Sequence, residues 1–346
     1  MKTILLLKMD HIGDALWSFP AIRALRAAFP AARIDMLCTP YLAEAFSRLE
    51  DLTRTIAYDS AAPLPLRLAV LRKLRAVSYD QALILGPVDK VNHLSFLSGA
   101  QERIGYSYSG SLLRLLTRGR FLTRHCPHPA DAADRQGLPL PHEVPVLLSL
   151  AELCGAAPVE EPVLFFPVTA EESATAGELL QELCPGRTSF AALHLCAKAF
   201  RSGWNAPSFA RLAAKLSQSL PDTGWIVTAG PAEKPYLETY HAMLSDAGIP
   251  IVTGLDLARM AALLSRLRLL VSWDTGVVHL ATAVGAPVVD IFPAKDFDYC
   301  VQRWGPWGPA VEIVRQETPA LDAAACGMIA AAARRISLPK QEVASP

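Results

Sequence analysis

VSWDTGVVHLATAVGAPVVDIF, residues 271–292, sets two apolar runs around a short polar knot, Asp274-Thr275-Gly276, with His279 close behind. Short apolar runs bounded by turn residues read as strands buried on both faces, and the stretch between them reads as a helix. Strand, loop, helix, strand is the repeating unit of a parallel α/β sheet. In open sheets of this kind ligands bind beyond the carboxyl ends of the strands, where helix N-termini present unpaired N–H groups. Gly276 lets backbone approach a ligand with no Cβ in the way. Thr275 and His279, four apart, share a helix face from which both can address an anion. Asp and Thr are also ordinary helix caps, and the triplet taken alone favours the cap.

Outward from this stretch the same rhythm fills the chain. SFAALHL (189–195), GWIVTAG (224–230), IPIVTG (249–254), RLRLLVSW (266–273) and APVVDIF (286–292) alternate with helical stretches. In the first half TILLLK (3–8), RIDMLCT (33–39), TRTIAYD (53–59) and YDQALIL (79–85) do the same. A helix is predicted from about Asp14 to Phe29, with Pro20 tolerated only near its first turns. A second spans PLRLAVLRKLRAV (65–77) and carries Arg67, Arg72, Lys73 and Arg75. Pro and paired glutamates in GAAPVEEPVLFFPV (155–168) mark a linker. The expectation is two Rossmann-like, doubly wound α/β domains, 1–160 and 161–346, facing a central cleft. A final helix, about 319–335, is free to pack back on the N-terminal domain, which spacing alone does not decide.

Composition agrees with this and removes other classes. The 346 residues are too many for one ordinary core. The 33 basic residues balance 33 acidic ones, so the basic excess of a general nucleic-acid binder is missing. MKTILLLKMD begins like a signal peptide, but Lys8, Asp10 and His11 interrupt it too early. The Ala-rich stretch Pro319 to Ala333 carries Asp322 and is too short to span a bilayer. Seven cysteines, odd in number and without a CxxC pair, read as reduced thiols in a cytoplasmic protein.

A second polar knot changes the weight of the first. KMDHIGDALWSFPAIRAL follows the first strand and again puts a carboxylate, Asp14, beyond a strand's carboxyl end. It lacks the GxGxxG spacing of a dinucleotide site, with Gly13 as its one glycine. Together the two stretches resemble the opening and the C-terminal signature of glycosyltransferase family 9, the ADP-heptose lipopolysaccharide heptosyltransferase family. YDQALIL, RIGY, HEVPVLLSLAELCG, ALHLCAKAFRSGW and TAGPAEK agree in order, so the resemblance covers roughly residues 1 to 315. It implies a GT-B fold, with the acceptor bound by the N-terminal domain and the nucleotide sugar by the C-terminal one.

The resemblance also implies roles. Asp14 matches the general base that takes the acceptor's proton in an inverting transfer. Thr275 and Gly276 match the backbone donors to the diphosphate, with the helix dipole behind them. Asp274 matches the carboxylate holding the donor sugar, and His279 fits as a site residue or a brace for the loop. Arg201 best matches the phosphate-binding lysine, with Lys198 as the alternative, and a planar fork would then replace a point charge. Glu233 matches the ribose ligand and Leu255 the adenine contact. Cys196 and Ala197 stand where small hydroxyl residues are common, and Asp10-His11 stands where serine-like residues are. The first departure removes side-chain donors to the diphosphate, and the second loosens heptose as the transferred sugar.

The implied activity is that of an inverting, metal-independent transferase moving a heptose, from ADP-heptose by expectation, to a lipopolysaccharide-core or related glycan, with no cofactor. The partners expected are the nucleotide sugar and an anionic or lipid-linked glycan, and no nucleic acid. This admits peripheral contact at the cytoplasmic face of the inner membrane. Arg72 and Arg75, with the arginine-rich span 103–124, are candidates for the acceptor, although a solvated face is the commoner use of such a helix. A nucleotide-sugar epimerase on the same architecture would need acid and base groups in the donor half, where His194 and His279 are the candidates. A non-catalytic nucleotide-sugar binder is disfavoured by the intact Asp14 and Asp274. DFD (296–298) imitates a DxD metal motif, and HCPH (125–128) has the spacing of a ligand pair without further ligands to complete a site.

Overall fold

A computed structural model describes residues 1–86, 89–107, 121–246 and 248–337. The chain divides into two compact units, Met1–Leu164 with Gln302–Trp304, and Phe165–Val301 with the chain from Gly305 onward. The boundary lies within the linker stretch, where residues 156–169 form neither helix nor strand.

Each unit holds one six-stranded sheet in which every pairing is parallel. In the first, β1 (Thr3–Lys8), β2 (Arg33–Cys38), β3 (Arg54–Ala57), β4 (Gln81–Ile84), β5 (Glu102–Ser107) and β6 (Arg124–Pro127) lie in the order β3-β2-β1-β4-β5-β6. In the second, β7 (Phe190–Leu195), β8 (Gly224–Ala229), β9 (Ile251–Val252), β10 (Leu269–Trp273), β11 (Val288–Pro293) and β12 (Val311–Gln316) lie in the order β12-β11-β10-β7-β8-β9. The two orders are the same winding. A sheet covered by helices on both faces needs apolar residues on both sides of its central strands, hence the unbroken run Ile4–Leu7, which is wholly buried. Truncating one of these leucines to alanine would cost roughly 2–5 kcal/mol. In each winding the strand order reverses beside the first strand, between β1 and β4 and between β7 and β10, and there the crevice opens.

Four local features differ from expectation. The helix predicted over 14–29 is two helices, Ile12–Leu16 and Phe19–Ala28, because Pro20 has no N–H to continue the first ladder. β5, β6 and β12 lie toward the outside of their sheets, where ERIGYS, RHCP and VEIVRQ need not be apolar, so periodicity did not mark them. DFD does not follow the last strand. It follows β11 and opens the helix Phe297–Trp304, with Asp296 as N-cap in the left-handed region at φ 56° and Asp298 in the first turn. The final helix is Ala323–Ser337, and within the second unit it packs on the helix Ala206–Ser219 and on β12.

Candidate functional site

In the second unit, two loops leave the crevice between β7 and β10. The β10 loop, Asp274-Thr275, ends at the helix Gly276–Ala283, of which Thr275 is the N-cap. The cap expectation fails in a specific way, since the Thr275 side chain makes no capping bond and its hydroxyl lies 3.3 Å from Ser272 Oγ. Nor is the Asp274 carboxylate spent on the helix. It lies 2.5 Å from Lys198 Nζ. In the first turn of that helix Val278 N donates to Thr275 O at 3.0 Å, which leaves the N–H groups of Gly276 and Val277 as the ones without a helical acceptor.

The β7 loop supplies Lys198 from the short helix Ala197–Arg201 and is held from below by Glu233. That carboxylate is buried and accepts from Ala197 N at 2.9 Å and from Gly230 N at 3.0 Å. Two charge-assisted bonds offset the cost of burying it and tie the β7 loop to the β8 loop. Further down, His194 Nδ1 and Thr228 Oγ1 are 2.9 Å apart, and burial pushes the imidazole down to about 4. His194 is therefore neutral at pH 7. His279 lies on the helix Gly276–Ala283 and is buried.

Asp290 sits within β11, paired across the sheet with Ser272, and is wholly inaccessible. Neither of its oxygens makes a hydrogen bond of ordinary geometry among the described residues. Burial, and after it the negative charge of Asp274, push its carboxyl well above the ordinary carboxylate range. That direction favours the protonated form of Asp290, while the Asp274 carboxylate is the one paired with Lys198.

In the first unit the corresponding crevice, between β1 and β4, holds a different set. Lys8 closes β1, is 1% exposed, and bridges the gap with Nζ 2.5 Å from Leu85 O and 2.9 Å from Asp10 Oδ2. A Cβ at Gly86 would stand 2.7 Å from that Asp10 oxygen, so a larger residue there would have to displace the Asp10 carboxylate. Asp14 accepts from His11 N at 3.3 Å, which is a cap of the five-residue helix, and only that oxygen is engaged among the described residues. Burial raises the Asp14 carboxyl above its usual value, Lys8 pulls it down, and Asp10 pushes it up again. A carboxylate whose proton affinity is raised in this way is suited to accept a proton.

Beside this crevice lies a cavity of about 680 Å³, lined among others by Met9, Thr39, Tyr58, Asp59, Arg67 and His93. Arg67 Nε donates to Tyr58 Oη at 3.1 Å, which fixes the guanidinium in the wall. Arg72 and Arg75 are not among the lining residues. Arg72 is exposed, and Arg75 Nε donates to Leu97 O at 2.9 Å. Of the arginine-rich span, Arg114, Arg118 and Arg120 fall outside the described residues.

The profile of glycosyltransferase family 9 (heptosyltransferase) matches residues 67–326. The chain belongs to glycosyltransferase family 9. The lipopolysaccharide core heptosyltransferase OpsX of Haemophilus influenzae is 20% identical over 299 residues, spanning 84% of this chain and 79% of that one. Among solved structures, the ADP-heptose LPS heptosyltransferase II of E. coli has a TM-score of 0.77 at 16% identity, covering 97% of this chain and 98% of its own. The E. coli heptosyltransferase WaaC, solved with ADP, has a TM-score of 0.73 at 17% identity, covering 96% and 99%. At such identities the likeness establishes the fold, GT-B with two Rossmann-like domains.

Within this glycosyltransferase the residues expected from sequence fall into separate groups. Lys198, Asp274, Thr275 and Gly276 meet at the β7–β10 crevice, whereas Arg201, the first choice of cation, ends its helix exposed to solvent. Glu233 sits beneath them with both oxygens already bonded to backbone, so a ribose hydroxyl would use their remaining lone pairs. Leu255 lines a separate cavity of about 230 Å³ with Leu179, Arg259 and Leu263. Asp14 lies in the first unit with Lys8 and Asp10. Sequence reasoning missed Lys8 and Gly86, and it missed Asp290, whose only signal was a charged residue inside an apolar strand. No group of three or more His, Cys, Asp or Glu among the described residues is placed to hold a metal ion. His128 of the HCPH stretch is buried and caps the helix Pro129–Gln136, accepting from Ala130 N at 3.2 Å.

Proposed function

We propose that this glycosyltransferase moves a heptose from ADP-heptose to a lipopolysaccharide-core or related anionic, lipid-linked glycan, with inversion and without a metal. The observation that carries the reading is the pairing of Lys198 with Asp274 beside a helix N-terminus whose cap side chain is not used. A diphosphate seated there would meet backbone N–H groups, the positive end of the helix dipole and the Lys198 ammonium. The Asp274 carboxylate, released from Lys198, would accept hydrogen bonds from hydroxyls of the donor sugar.

On this reading Asp14 removes the proton from the acceptor hydroxyl as its oxygen bonds to the anomeric carbon from the face opposite the diphosphate. The bond from that carbon to the diphosphate oxygen breaks, and the charge left on ADP is met by Lys198 and the amides at Gly276. The charges of Lys8 and Asp10 tune Asp14, and the cavity containing Arg67 receives the acceptor. The names of the relatives, a lipopolysaccharide core heptosyltransferase and an ADP-heptose LPS heptosyltransferase, support heptose and a core glycan. The burial of His194, one of the two histidines the epimerase alternative could use as acid or base, speaks against that alternative.

The test is ADP release from ADP-heptose with and without heptose-deficient lipopolysaccharide, in EDTA. Acceptor-dependent release that survives EDTA supports the reading. Release that requires Mn²⁺ or Mg²⁺, or product epimerised without transfer, overturns it.

A further inference from the structure

The helix Glu143–Leu153 begins with an acid in unusual surroundings. A glutamate in a first turn is commonly a solvated partner of the helix dipole. Glu143 is instead 7% exposed, and its Oε2 accepts from Arg303 Nη2 at 2.9 Å. Arg303 is 6% exposed and also donates from Nη1 to Pro141 O at 3.3 Å. The two residues are 160 apart in sequence, and both count with the first unit. Taking two charges out of water costs about what their attraction returns, so a buried pair seldom stabilises a fold more than apolar packing would. Stability alone is therefore a weak reason for this one.

Its place supplies another. His142, the cap of the same helix, accepts from Val144 N at 3.1 Å, and its ring meets that of Trp17 with centroids 5.5 Å apart. Trp17 is the C-cap of Ile12–Leu16, the helix that carries Asp14, so the Glu143 helix starts where the Asp14 helix ends. Burial raises the Glu143 carboxyl, Arg303 and then Lys8 pull it down, and the charges of Asp14 and Asp10 push it up again. An interaction between two carboxylates belongs to both, so an ionised Glu143 raises Asp14 by as much as an ionised Asp14 raises Glu143. The charged and titratable groups around Asp14 are then Lys8 at the end of β1, Asp10 and His11 in the loop after it, and Glu143. Beyond the pair stand Tyr106 of β5, which meets the Glu143 charge, and His128, which meets that of Arg303.

We propose that Glu143 is a positioning residue for Asp14: Arg303 holds it as an anion beside the crevice, and that charge strengthens the hold of Asp14 on the acceptor's proton. The inference rests on Asp14 as the base, but the charge that Asp14 meets can be read without turnover.

The test is titration of the side-chain carboxyls of the full chain by carbon NMR, with Asp14 and Glu143 identified by the signals lost in Asp14→Asn and Glu143→Gln. In Glu143→Gln the Asp14 midpoint should fall, since a like charge is gone and Arg303 is left uncompensated. In Arg303→Met the midpoints of Asp14 and Glu143 taken together should rise. Glu143→Gln with Arg303→Met should bring Asp14 back up from the first variant. The acid limb of kcat/KM should follow the Asp14 midpoint each time. A pair that only braces the helix would lower the unfolding temperature and leave both titration and limb in place. Each single variant decides alone, so one that does not fold leaves the other. An Asp14 midpoint unmoved in Glu143→Gln, no rise in Arg303→Met, or a double variant that titrates as Glu143→Gln does, overturns the proposal. A limb that stays while the Asp14 midpoint moves upholds the influence of Glu143 and removes Asp14 as the base.

Discussion

Lys198 Nζ stands 2.5 Å from Asp274 Oδ2, and the two residues are contributed by neighbouring loops of the sheet, one after β7 and one after β10. They are 76 residues apart in sequence. Of the two cations that the sequence offered side by side, both exposed, Lys198 is the one that pairs with the β10 loop.

Lys198→Ala should weaken ADP binding about tenfold to a hundredfold, the worth of a hydrogen bond to a charged group. Lys198→Arg should restore part of it. Arg201→Ala should change the affinity little. Isothermal titration with ADP measures all three, and a larger loss at Arg201 would transfer the phosphate contact to that residue.

Asp14→Asn should keep ADP affinity and lower kcat by roughly a hundredfold or more, the usual contribution of a positioned base. The base works ionised, so kcat/KM of the wild type should fall on the acid side, at a pH above the ordinary carboxylate range because Asp14 is raised. Asp10 raises Asp14 and Lys8 lowers it, so Asp10→Asn should move that limb to lower pH. A limb that stays in place would remove Asp10 from the tuning of the base.

Asp290→Asn should raise the unfolding midpoint at pH 7. The folded-state carboxyl is pushed up, so the contribution of Asp290 to stability is full below about pH 4 and is lost as pH rises. A neutral isostere avoids that loss. The gain should shrink as the pH is lowered toward 4, and calorimetry at several pH values follows it. A variant less stable than wild type at pH 7 would mean that the ionised carboxylate has a partner in the folded chain.

His194 and His128 work in the opposite direction. Both are pushed down to about 4 by burial, so below pH 6.5 the unfolded chain takes up protons that the folded chain refuses. Stability should fall between pH 6.5 and 4, by up to about 1.4 kcal/mol per pH unit for each histidine. His194→Gln should reduce the slope of the unfolding free energy against pH, and an unchanged slope would place the loss elsewhere.

Arg67→Ala should raise the KM for acceptor and leave ADP affinity alone, since Arg67 lies in the cavity wall of the first unit. Arg72→Ala with Arg75→Ala should raise that KM less in detergent-solubilised acceptor. The KM for acceptor should increase with ionic strength more steeply than that for donor if several exposed arginines hold an anionic acceptor, since each exposed charge is screened by salt. Equal salt dependence would argue for a neutral acceptor.

Much of this protein was already determined by the order of its residues. Unbroken apolar runs such as TILLLK and LLVSW can only be strands covered on both sides, and a helix after each forces parallel pairing. The knots at Asp14 and Asp274 stood out only together, since either one alone reads as a helix cap. The outer strands β5, β6 and β12 were not legible, since a strand near a sheet edge tolerates the charges in ERIGYS and VEIVRQ. Tertiary structure alone decided the partners. Whether Lys198 or Arg201 faces Asp274, whether Arg67 or Arg72 lines a cavity, and that Lys8 reaches Leu85 across 77 residues depend on helix phase and strand order. Local propensity is set by each residue and its near neighbours. A contact between loops is set by where the whole sheet brings them, and no stretch of sequence contains that distance.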